Sequence, residues 1–313
     1  MKKKQLGNSD LHIAPLVFGG NVFGWTLNEK ESFHILDRFV AAGFDTIDTA
    51  DVYSAWVPGN KGGESESIIG SWIKQRGNRN KVVVCTKVGG DMGQGKNTSA
   101  AYIINAVEQS LKRLQTDYID LYQSHYDDEV TPVEETLEAF TTLIQQGKVR
   151  WIGASNISPE RLRASVEASR KNGFAQYQSL QPLYNLYERG QFEDNYEQIC
   201  LENNIGVINY YSLASGFLTG KYRSEADLGK SQRGGGIKQY LTPRGSKILA
   251  ALDRVAEKHG TTQAAVSLAW LLARPSVTAP IASATSEKQL EAFSEAIRLN
   301  LSQDDLELLN IKD

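Results

Sequence analysis

The chain has 313 residues, of which 41% are apolar and 23% are charged, and its formal net charge is −3. This composition excludes a largely disordered chain and a collagen-like chain, because the apolar content is sufficient for a buried core. A slightly acidic chain is also unlike a dedicated nucleic-acid-binding protein, which needs a concentrated positive field. Two cysteines are too few for a disulfide framework, so we expect a cytoplasmic protein.

The amino-terminal residues predict a β-hairpin, in which residues 7–10 form the turn and residues 11–13 the second strand. Beyond it, short apolar segments alternate with longer helical patterns. Further strands are predicted at residues 15–19, 45–48, 82–87, 119–123, 151–154, 179–181, 206–210 and 279–283.

No apolar run reaches the roughly 18 residues of a membrane-spanning helix, and no signal-peptide core is visible, so we expect no membrane association.

Helices are indicated by apolar spacing and by start signals. One segment shows the three-and-four spacing that is typical of a single helix face. Its apolar positions are Ile103, Ile104, Val107, Leu111 and Leu114. Two helix starts are predicted where a hydroxyl residue precedes proline, because the hydroxyl caps the helix and proline fits its first position. These pairs are Thr131 with Pro132 and Ser158 with Pro159.

Eight strands that are each followed by a helix or a longer loop predict a parallel sheet. A closed (β/α)8 barrel occupies about 250 residues, which leaves room for the hairpin and one extra C-terminal helix. We therefore predict an α/β protein with a single TIM-barrel domain over residues 1–313; a doubly wound sheet is the alternative. The one long irregular stretch, residues 213–243, is interpreted as a lid or binding loop.

The ends of three consecutive predicted strands carry titratable side chains, and this edge of a barrel is where functional groups lie. Asp48 and Tyr53 follow one strand, Lys87 ends the next, and His125 follows the third. A lysine ammonium beside the phenol would lower the pKa of Tyr53, and Asp48 would keep the lysine charged. Tyr53 would then protonate a carbonyl oxygen to which neutral His125 also donates a hydrogen bond. The four residues predict an acid pocket for carbonyl reduction.

Five segments carry distinctive motifs: residues 44–53 (FDTIDTADVY), 63–66 (GESE), 153–156 (GASN), 181–185 (QPLYN) and 211–222 (YSLASGFLTGKY). In this order and spacing they resemble the aldo-keto reductase family, and within it the bacterial branch that is similar to potassium-channel β subunits. The resemblance covers nearly the whole chain. It implies a (β/α)8 barrel that binds a nicotinamide cofactor and reduces aldehydes or ketones, with Tyr53 as proton donor.

The resemblance also implies the cofactor site. Ser155, Asn156 and Gln181 match the positions that hydrogen-bond the nicotinamide carboxamide, and Tyr210 matches the aromatic residue that stacks on the ring. The segment 211–221 matches the loop that cradles the pyrophosphate. The other expected cofactor contacts are Gly20, Asn21, Tyr211, Ser212, Leu213, Ser215, Gly216, Lys221, Arg233, Ser283, Thr285 and Gln289.

The adenosine end of this site departs from the family at two positions. Gln289 stands where many relatives carry an arginine for the 2′-phosphate, and Phe293 where many carry an asparagine for the adenine. We expect Thr285 or Ser286 to cap the last helix, whose N-terminus favours a phosphate. Because the channel-subunit branch also has glutamine at the first position and binds NADPH, NADPH is the expected cofactor. NADH is the alternative, and Lys288 could supply the missing charge.

Residues 90–97 (GDMGQGKN) nearly match a phosphate-binding P-loop, but Asn97 replaces the Ser or Thr that would ligate magnesium. We interpret this stretch as a loop at the barrel rim that can contact substrate. The histidines and cysteines show no metal-ligand spacing, so no metal is expected. An apolar substrate pocket is predicted from the aromatic residues Trp25, Tyr53, Trp56 and Tyr126.

Two other functions compete with carbonyl reduction. Lys87 at a strand end suits a Schiff-base lyase or isomerase, although the nicotinamide-binding motifs and Tyr53 do not belong to such an enzyme. The chain could also be a cofactor-sensing subunit with slow turnover, as in the channel partners. A small-molecule carbonyl substrate remains the expectation, and specificity is expected in the loops that contain residues 56–58 and 230–240.

Overall fold

The computed structural model of the chain describes residues 1–232 and 234–312. The predicted hairpin is confirmed: β1 (Lys4–Gln5) pairs antiparallel with β2 (His12–Ile13). Ser9 closes the turn, because its hydroxyl donates to the carbonyl of Leu6 at 2.6 Å. Leu6 also joins a buried apolar cluster with residues of the parallel strands, so the hairpin covers the N-terminal end of the barrel.

Eight parallel strands form one sheet in the described part of the chain. They are β3 (Val17–Gly19), β4 (Thr46–Asp48), β5 (Val83–Val88), β6 (Ile119–Ser124), β7 (Val149–Ser155), β8 (Tyr177–Gln181), β9 (Gly206–Val207) and β10 (Ile281–Ala282). Around the sheet they follow chain order, with β10 beside β3.

The sheet closes on itself between β9 and β10, the two strands at the ends of its order. The carbonyl of Val207 accepts from the N–H of Thr278, and the carbonyl of Asn209 accepts from the N–H of Ile281, both at 2.9 Å. Among the described residues, these bonds join the two end strands of the eight-stranded sheet, so that neither remains an open edge. The predicted (β/α)8 barrel is thereby confirmed, and the doubly wound alternative is wrong.

Helices between and after the strands cover the outside of the barrel. They are α1 (Glu29–Ala41), α2 (Glu64–Arg76), α3 (Ala100–Leu114), α4 (Val133–Gln145), α5 (Pro159–Asn172), α6 (Gly190–Asn195), α7 (Glu197–Asn203), α8 (Pro243–His259), α9 (Gln263–Leu272), α10 (Glu287–Ala296) and α11 (Gln303–Leu308). The last of these, α11, follows the barrel helices and corresponds to the predicted extra C-terminal helix.

The apolar face of α3 is nearly the predicted one. Ile103, Val107 and Leu114 are fully buried, whereas Ile104 is 38% exposed. A helix turns by about 100° per residue, so Ile104 lies beside the buried stripe rather than within it. Leu111 and Ser110 are also buried on this face. The prediction that Ile104 belongs to the buried face is therefore wrong.

One of the two predicted helix starts is confirmed. Ser158 caps α5 by accepting from the backbone N–H of Arg161, and Pro159 is the first helical residue. Thr131 does not cap α4, which begins at residue 133 without a side-chain cap. The hydroxyl of Thr131 instead donates to Asp128 at 2.7 Å, because a carboxylate three residues earlier is available as a stronger acceptor.

The stretch at residues 213–243 is more regular than predicted. It contains 3₁₀ helices at Ala214–Thr219, Glu225–Lys230 and Gly234–Tyr240. Phe217 and Tyr240 stack with their ring centroids 5.3 Å apart, so the stretch packs on itself. Short 3₁₀ segments have no sustained apolar period, which explains why they were expected to be irregular.

Among the described residues, no helix has both the length and the apolar character needed to cross a membrane. The same part of the chain contains no group of three or more His, Cys, Asp or Glu residues arranged to hold a metal ion. Cys85 and Cys200 are both buried and both free.

Candidate active site

Asp48, Tyr53 and Lys87 meet at the C-terminal ends of β4 and β5. The ammonium of Lys87 donates to Oδ2 of Asp48 at 2.6 Å and to the hydroxyl oxygen of Tyr53 at 3.0 Å. Lys87 and Asp48 are fully buried, whereas Tyr53 is partly exposed. The structure therefore brings these three predicted residues together, with the phenol on the accessible side.

All three N–H groups of the Lys87 ammonium are used. The third donates to the carbonyl of Thr49 at 2.7 Å, and an ammonium has no lone pair with which to attack a carbonyl carbon. Burial alone would lower the pKa of Lys87, but Asp48 and Tyr53 outweigh it and raise the pKa above its ordinary value. The lysine is therefore held charged, which is unsuitable for a Schiff-base nucleophile.

The phenol of Tyr53 retains its proton at neutral pH. Burial raises the pKa of Tyr53 above its ordinary 10.0, and the positive charge of Lys87 only partly opposes this increase. The expectation of a lowered pKa is therefore wrong in its net direction, because burial outweighs the lysine. Since Lys87 donates to the phenol oxygen, the phenol O–H is left for another acceptor.

His125 lies in the same pocket, with its ring centroid 5.8 Å from that of Tyr53. Its backbone N–H donates to the carbonyl of Val88 at 2.7 Å, which fixes it beside the end of β5. Burial and the charge of Lys87 lower the pKa of His125 well below 6.5. The imidazole is therefore neutral at physiological pH and carries one N–H donor.

Two glutamine amides hold the second oxygen of Asp48. Nε2 of Gln181 donates to Oδ1 at 2.9 Å, and Nε2 of Gln123 donates to the same atom at 3.2 Å. Gln181 is among the residues predicted from the sequence, whereas Gln123 is not. The available signal was spacing, because Gln123 precedes His125 by two residues and alternate residues of a strand share a face.

Ser155, Asn156 and Tyr210 form a connected group next to the acid pocket. The hydroxyl of Ser155 donates to the carbonyl of Gln181 at 2.8 Å. The amide of Asn156 donates to the carbonyl of His125 at 2.8 Å and accepts from the Tyr210 hydroxyl at 3.0 Å. The structure thus places the residues predicted for the nicotinamide beside His125.

The segment 211–221 has a left-handed backbone at several positions. The φ angle is positive at Tyr211 (53°), Ala214 (46°), Ser215 (56°) and Gly216 (99°). A Cβ added at Gly216 would lie 3.6 Å from Nζ of Lys221. Successive backbone reversals of this kind can direct N–H groups into a concavity that suits an anion, and here a cation adjoins it.

Ser212 and Leu213 fix the start of this segment. The amide of Asn209 donates to the hydroxyl of Ser212, which is buried, at 3.1 Å. Leu213 packs against the hydrophobic core, and its carbonyl accepts from the N–H of Gly216 at 2.8 Å. Arg233, which was predicted to clamp the cofactor, lies outside the described residues.

Gly20, Asn21 and Ser283 lie side by side where β3 and β10 end. The hydroxyl of Ser283 is 2.7 Å from the carbonyl oxygen of Gly19 and 2.8 Å from Oδ1 of Asn21. A Cβ at Gly20 would approach the carbonyl oxygen of Asp48 to 3.0 Å, closer than a side chain fits comfortably. The predicted contacts at this end therefore adjoin the strand that carries Asp48.

The start of α10 is closed differently from the prediction. Neither Thr285 nor Ser286 caps the helix with its side chain. Instead, Oε1 of Gln289 accepts from the backbone N–H of Thr285 at 2.7 Å. A glutamine in the first helical turn is long enough to reach back to the preceding N–H groups, as in a capping box.

Phe293 belongs to the hydrophobic core. It is 1% exposed and makes edge-to-face contacts with Phe39 and Phe44, at centroid distances of 6.4 and 6.1 Å. On the surface nearby, Glu287 pairs with Arg38 at 2.9 Å. A phenylalanine here adds packing against α1 instead of a polar group at the helix surface.

The predicted aromatic cluster is continuous around the accessible side of Tyr53. Trp56 contacts Trp25 and Tyr53 edge-on, at centroid distances of 5.7 and 6.1 Å. Tyr126 stacks on His125 at 4.8 Å. Trp56 is 49% exposed, so part of this aromatic surface remains accessible beside the acid pocket.

Two buried carboxyl groups behind the pocket were missed from sequence. Glu66 accepts from the hydroxyl of Thr86 and from Nε of Arg113, both at 2.6 Å. Asp51 is also buried, but its Oδ1 has no hydrogen-bond partner within the part of the chain that is described. Burial and the charge of Glu66 raise the pKa of Asp51 to about 7. The sequence feature that points to both residues is their position within two of the motif segments, residues 44–53 and 63–66.

Comparison with known proteins agrees with this geometry. The Aldo/keto reductase family matches residues 15–313 of the chain. The Uncharacterized oxidoreductase YrpG of Bacillus subtilis is 35% identical, with 99% of this chain and 95% of that protein covered. Aldo-keto reductase YhdN of the same organism is 33% identical, with 96% and 89% covered.

A further relative is the Probable voltage-gated potassium channel subunit beta of Arabidopsis thaliana. It is 31% identical, and the alignment covers 95% of this chain and 91% of that protein. The predicted resemblance to the family and to the channel subunits is thus confirmed. Because the match extends over nearly the whole chain, the protein belongs to the aldo/keto reductase family and is an NAD(P)H-dependent oxidoreductase.

Proposed function

We propose that the protein reduces small aldehydes or ketones with NADPH and that Tyr53 is the proton donor. The contact between Lys87 and Tyr53 carries this proposal, because a charged ammonium lies 3.0 Å from the phenol oxygen. As a substrate carbonyl oxygen gains negative charge, the phenol proton passes to it. The adjacent ammonium then stabilises the phenolate that is left.

Asp48 and His125 have different parts in this proposal. Asp48 does not face the substrate; it holds the Lys87 ammonium in place and balances its charge. His125 is neutral and donates a hydrogen bond to the carbonyl oxygen, which orients the substrate against Tyr53. A bound reduced nicotinamide supplies a hydride to the carbonyl carbon, so that hydride and proton together yield the alcohol.

The described residues fit a nicotinamide dinucleotide. A carboxamide needs both donors and acceptors, and the hydroxyl of Ser155 with the amides of Asn156 and Gln181 provides both. Tyr210 supplies an aromatic ring beside Asn156. The left-handed backbone of segment 211–221, together with Lys221, suits an anionic pyrophosphate. These residues would hold the cofactor across the mouth of the barrel.

Preference for NADPH over NADH rests on the first turn of α10. Because Oε1 of Gln289 is used by Thr285, its amide N–H groups remain as donors. Lys288 adds a positive charge next to Gln289, and the helix start itself favours a phosphate. These features support a site for the 2′-phosphate, with NADH as the alternative cofactor.

The proposal also includes one domain over residues 1–313, a small-molecule carbonyl substrate and a cytoplasmic location. Closure of the barrel by hydrogen bonds between the chain near β9 and near β10 supports a single folding unit. The free and buried state of Cys85 and Cys200 supports a reducing compartment.

Titration with NADPH and with NADH tests the cofactor assignment through tryptophan fluorescence, since Trp25 and Trp56 border the pocket. Reduction of a panel of aldehydes and ketones, followed by loss of NADPH absorbance, tests the reaction. NADPH binding in the micromolar range with turnover supports the proposal. Binding without turnover on any carbonyl would favour the cofactor-sensing subunit, and no binding of either nucleotide would overturn the reductase proposal.

A further inference from the structure

The β5–α3 loop, residues 89–99, lies directly against the acid pocket. It begins two residues after Lys87 on the chain. A Cβ added at Gly90 would lie 3.3 Å from Nδ1 of His125, and one at Gly89 would lie 3.3 Å from the carbonyl oxygen of Tyr126. The start of the loop therefore packs on the segment that carries the proposed substrate-orienting histidine.

Two carboxylates define the course of this loop. Oδ1 of Asp91 accepts from the backbone N–H groups of Gly93 and Gly95, both at 2.8 Å. At the far end, Oδ2 of Asp128 accepts from the N–H of Thr98, also at 2.8 Å. Lys96 lies between these two fixed points, so its backbone position is set by the fold.

The side chain of Lys96 is directed toward the pocket. Its Nζ lies 5.0 Å from the centroid of the Tyr126 ring, within the range of a cation–π contact. Tyr126 in turn stacks on His125. The ammonium is therefore separated from the proposed catalytic histidine by a single aromatic ring.

Within the described part of the chain, no carboxylate balances the charge of Lys96. In the described ranges, Lys96 forms no ion pair. The nearby carboxylates have other partners: Asp91 and Asp128 accept from the backbone, and Asp127 accepts from Arg161 at 2.9 Å. An unpaired ammonium at the edge of an aromatic pocket is suited to an anionic group on a ligand.

We propose that Lys96 selects aromatic aldehydes or ketones that carry a carboxylate away from the carbonyl. The substrate ring would pack on the aromatic surface formed by Trp25, Trp56 and Tyr126. Its carbonyl would face Tyr53, and its carboxylate would reach the ammonium. This inference rests on the proposed reductase function and adds the substrate class.

The test compares kcat/KM for 4-carboxybenzaldehyde and for benzaldehyde, which differ only in the distal carboxylate. We expect the wild-type protein to prefer the carboxylated aldehyde by about fivefold at low ionic strength, as an ion pair at a partly exposed site would give. Lys96→Met removes the charge and should abolish this preference while leaving benzaldehyde turnover unchanged. Added salt should weaken the preference in the wild-type protein.

Lys61→Met is the matched control, because Lys61 is an exposed lysine on the adjoining loop before α2. It should leave the preference unchanged. Benzaldehyde turnover without preference for the carboxylate, or equal losses on both aldehydes in Lys96→Met, would overturn this inference alone. No turnover of either aldehyde by the wild-type protein would instead count against the reductase proposal.

Discussion

Lys87 and Asp48 form an ion pair in which neither side chain is more than 2% exposed, with Nζ 2.6 Å from Oδ2. Burying two charges is costly even when they pair, so a pair of this kind is weak evidence of stabilisation. The ion pair instead fixes the position of the ammonium, which has no other orientation that keeps its contacts with Asp48, Thr49 and Tyr53. The pair therefore serves the position of Tyr53, the proposed proton donor, more than the stability of the fold.

Lys87→Met should destabilise the fold by about 3–5 kcal/mol, because it leaves the Asp48 carboxylate buried without its counter-ion. The double variant Asp48→Asn with Lys87→Met should lose much less stability, since neither member of the buried ion pair is then charged. Both variants should show little carbonyl-reductase activity. Urea unfolding gives the free energy of unfolding of each variant. A double variant as unstable as the single one would contradict the assignment of the loss to the uncompensated charge.

Tyr53→Phe should lower kcat by about 10²–10⁴-fold, the usual contribution of a positioned general acid. The change removes only the hydroxyl, so the affinity for NADPH should stay within about twofold of the wild-type value. Stopped-flow or steady-state reduction gives kcat, and tryptophan quenching gives Kd. Tyr118→Phe, on the far side of the barrel, is the control. A variant that keeps wild-type kcat without the Tyr53 hydroxyl would remove this residue from the proposed role.

Asp51 should make the fold less stable as pH rises. Its pKa is raised to about 7 in the folded chain, whereas an unfolded aspartate has a pKa of about 3.9. Between these values the folded state retains a proton that the unfolded state has released. The stabilisation is fully present below the unfolded pKa and is lost as pH rises through the folded one.

Asp51→Asn should remove this pH dependence, because an amide does not ionise. We compare the free energy of unfolding of the wild-type protein with that of the variant. Between pH 4 and pH 7 this difference should change by on the order of 4 kcal/mol in favour of the variant. Urea unfolding at several pH values measures it, and Asp194→Asn on the surface is the control. A difference that stays constant from pH 4.5 to pH 8 would show that Asp51 does not titrate in this range.

The barrel strands were predictable because a strand covered on both faces has an almost continuous apolar run, as at residues 82–87. The polar residues at strand ends then identified Asp48, Lys87 and His125. Gln123 was missed because an amide does not titrate, so its two-residue spacing from His125 carries no acid–base signal. It acquires its role only when parallel pairing aligns it with Lys87.

Details that depend on competing polar groups were harder to predict. Thr131 and Ser286 both have the residue type of a helix cap, yet neither caps its helix. The hydroxyl of Thr131 donates to Asp128, and before α10 the side chain of Gln289 accepts from the N–H of Thr285. The pKa of Tyr53 was predicted in the wrong direction because sequence reveals the neighbouring charge but not the extent of burial.

Gln289 offers a direct test of the cofactor preference. Gln289→Arg should raise the ratio of NADPH to NADH affinity by about tenfold, equivalent to about 1.4 kcal/mol, since a guanidinium makes charge-assisted hydrogen bonds to a phosphate. Fluorescence titration with both nucleotides measures the ratio. The same change removes the contact with the N–H of Thr285, so thermal unfolding should show a small loss of stability.

Lys288→Met provides the complementary measurement. If the 2′-phosphate binds at the start of α10, removing this charge should lower the affinity for NADPH and leave that for NADH unchanged, because NADH has no 2′-phosphate. High salt should reduce the effect of both variants, since exposed charges are screened over about 10 Å at moderate ionic strength. An unchanged ratio in Gln289→Arg together with unchanged NADPH binding in Lys288→Met would place the 2′-phosphate elsewhere. In that case the first turn of α10 would not determine cofactor preference.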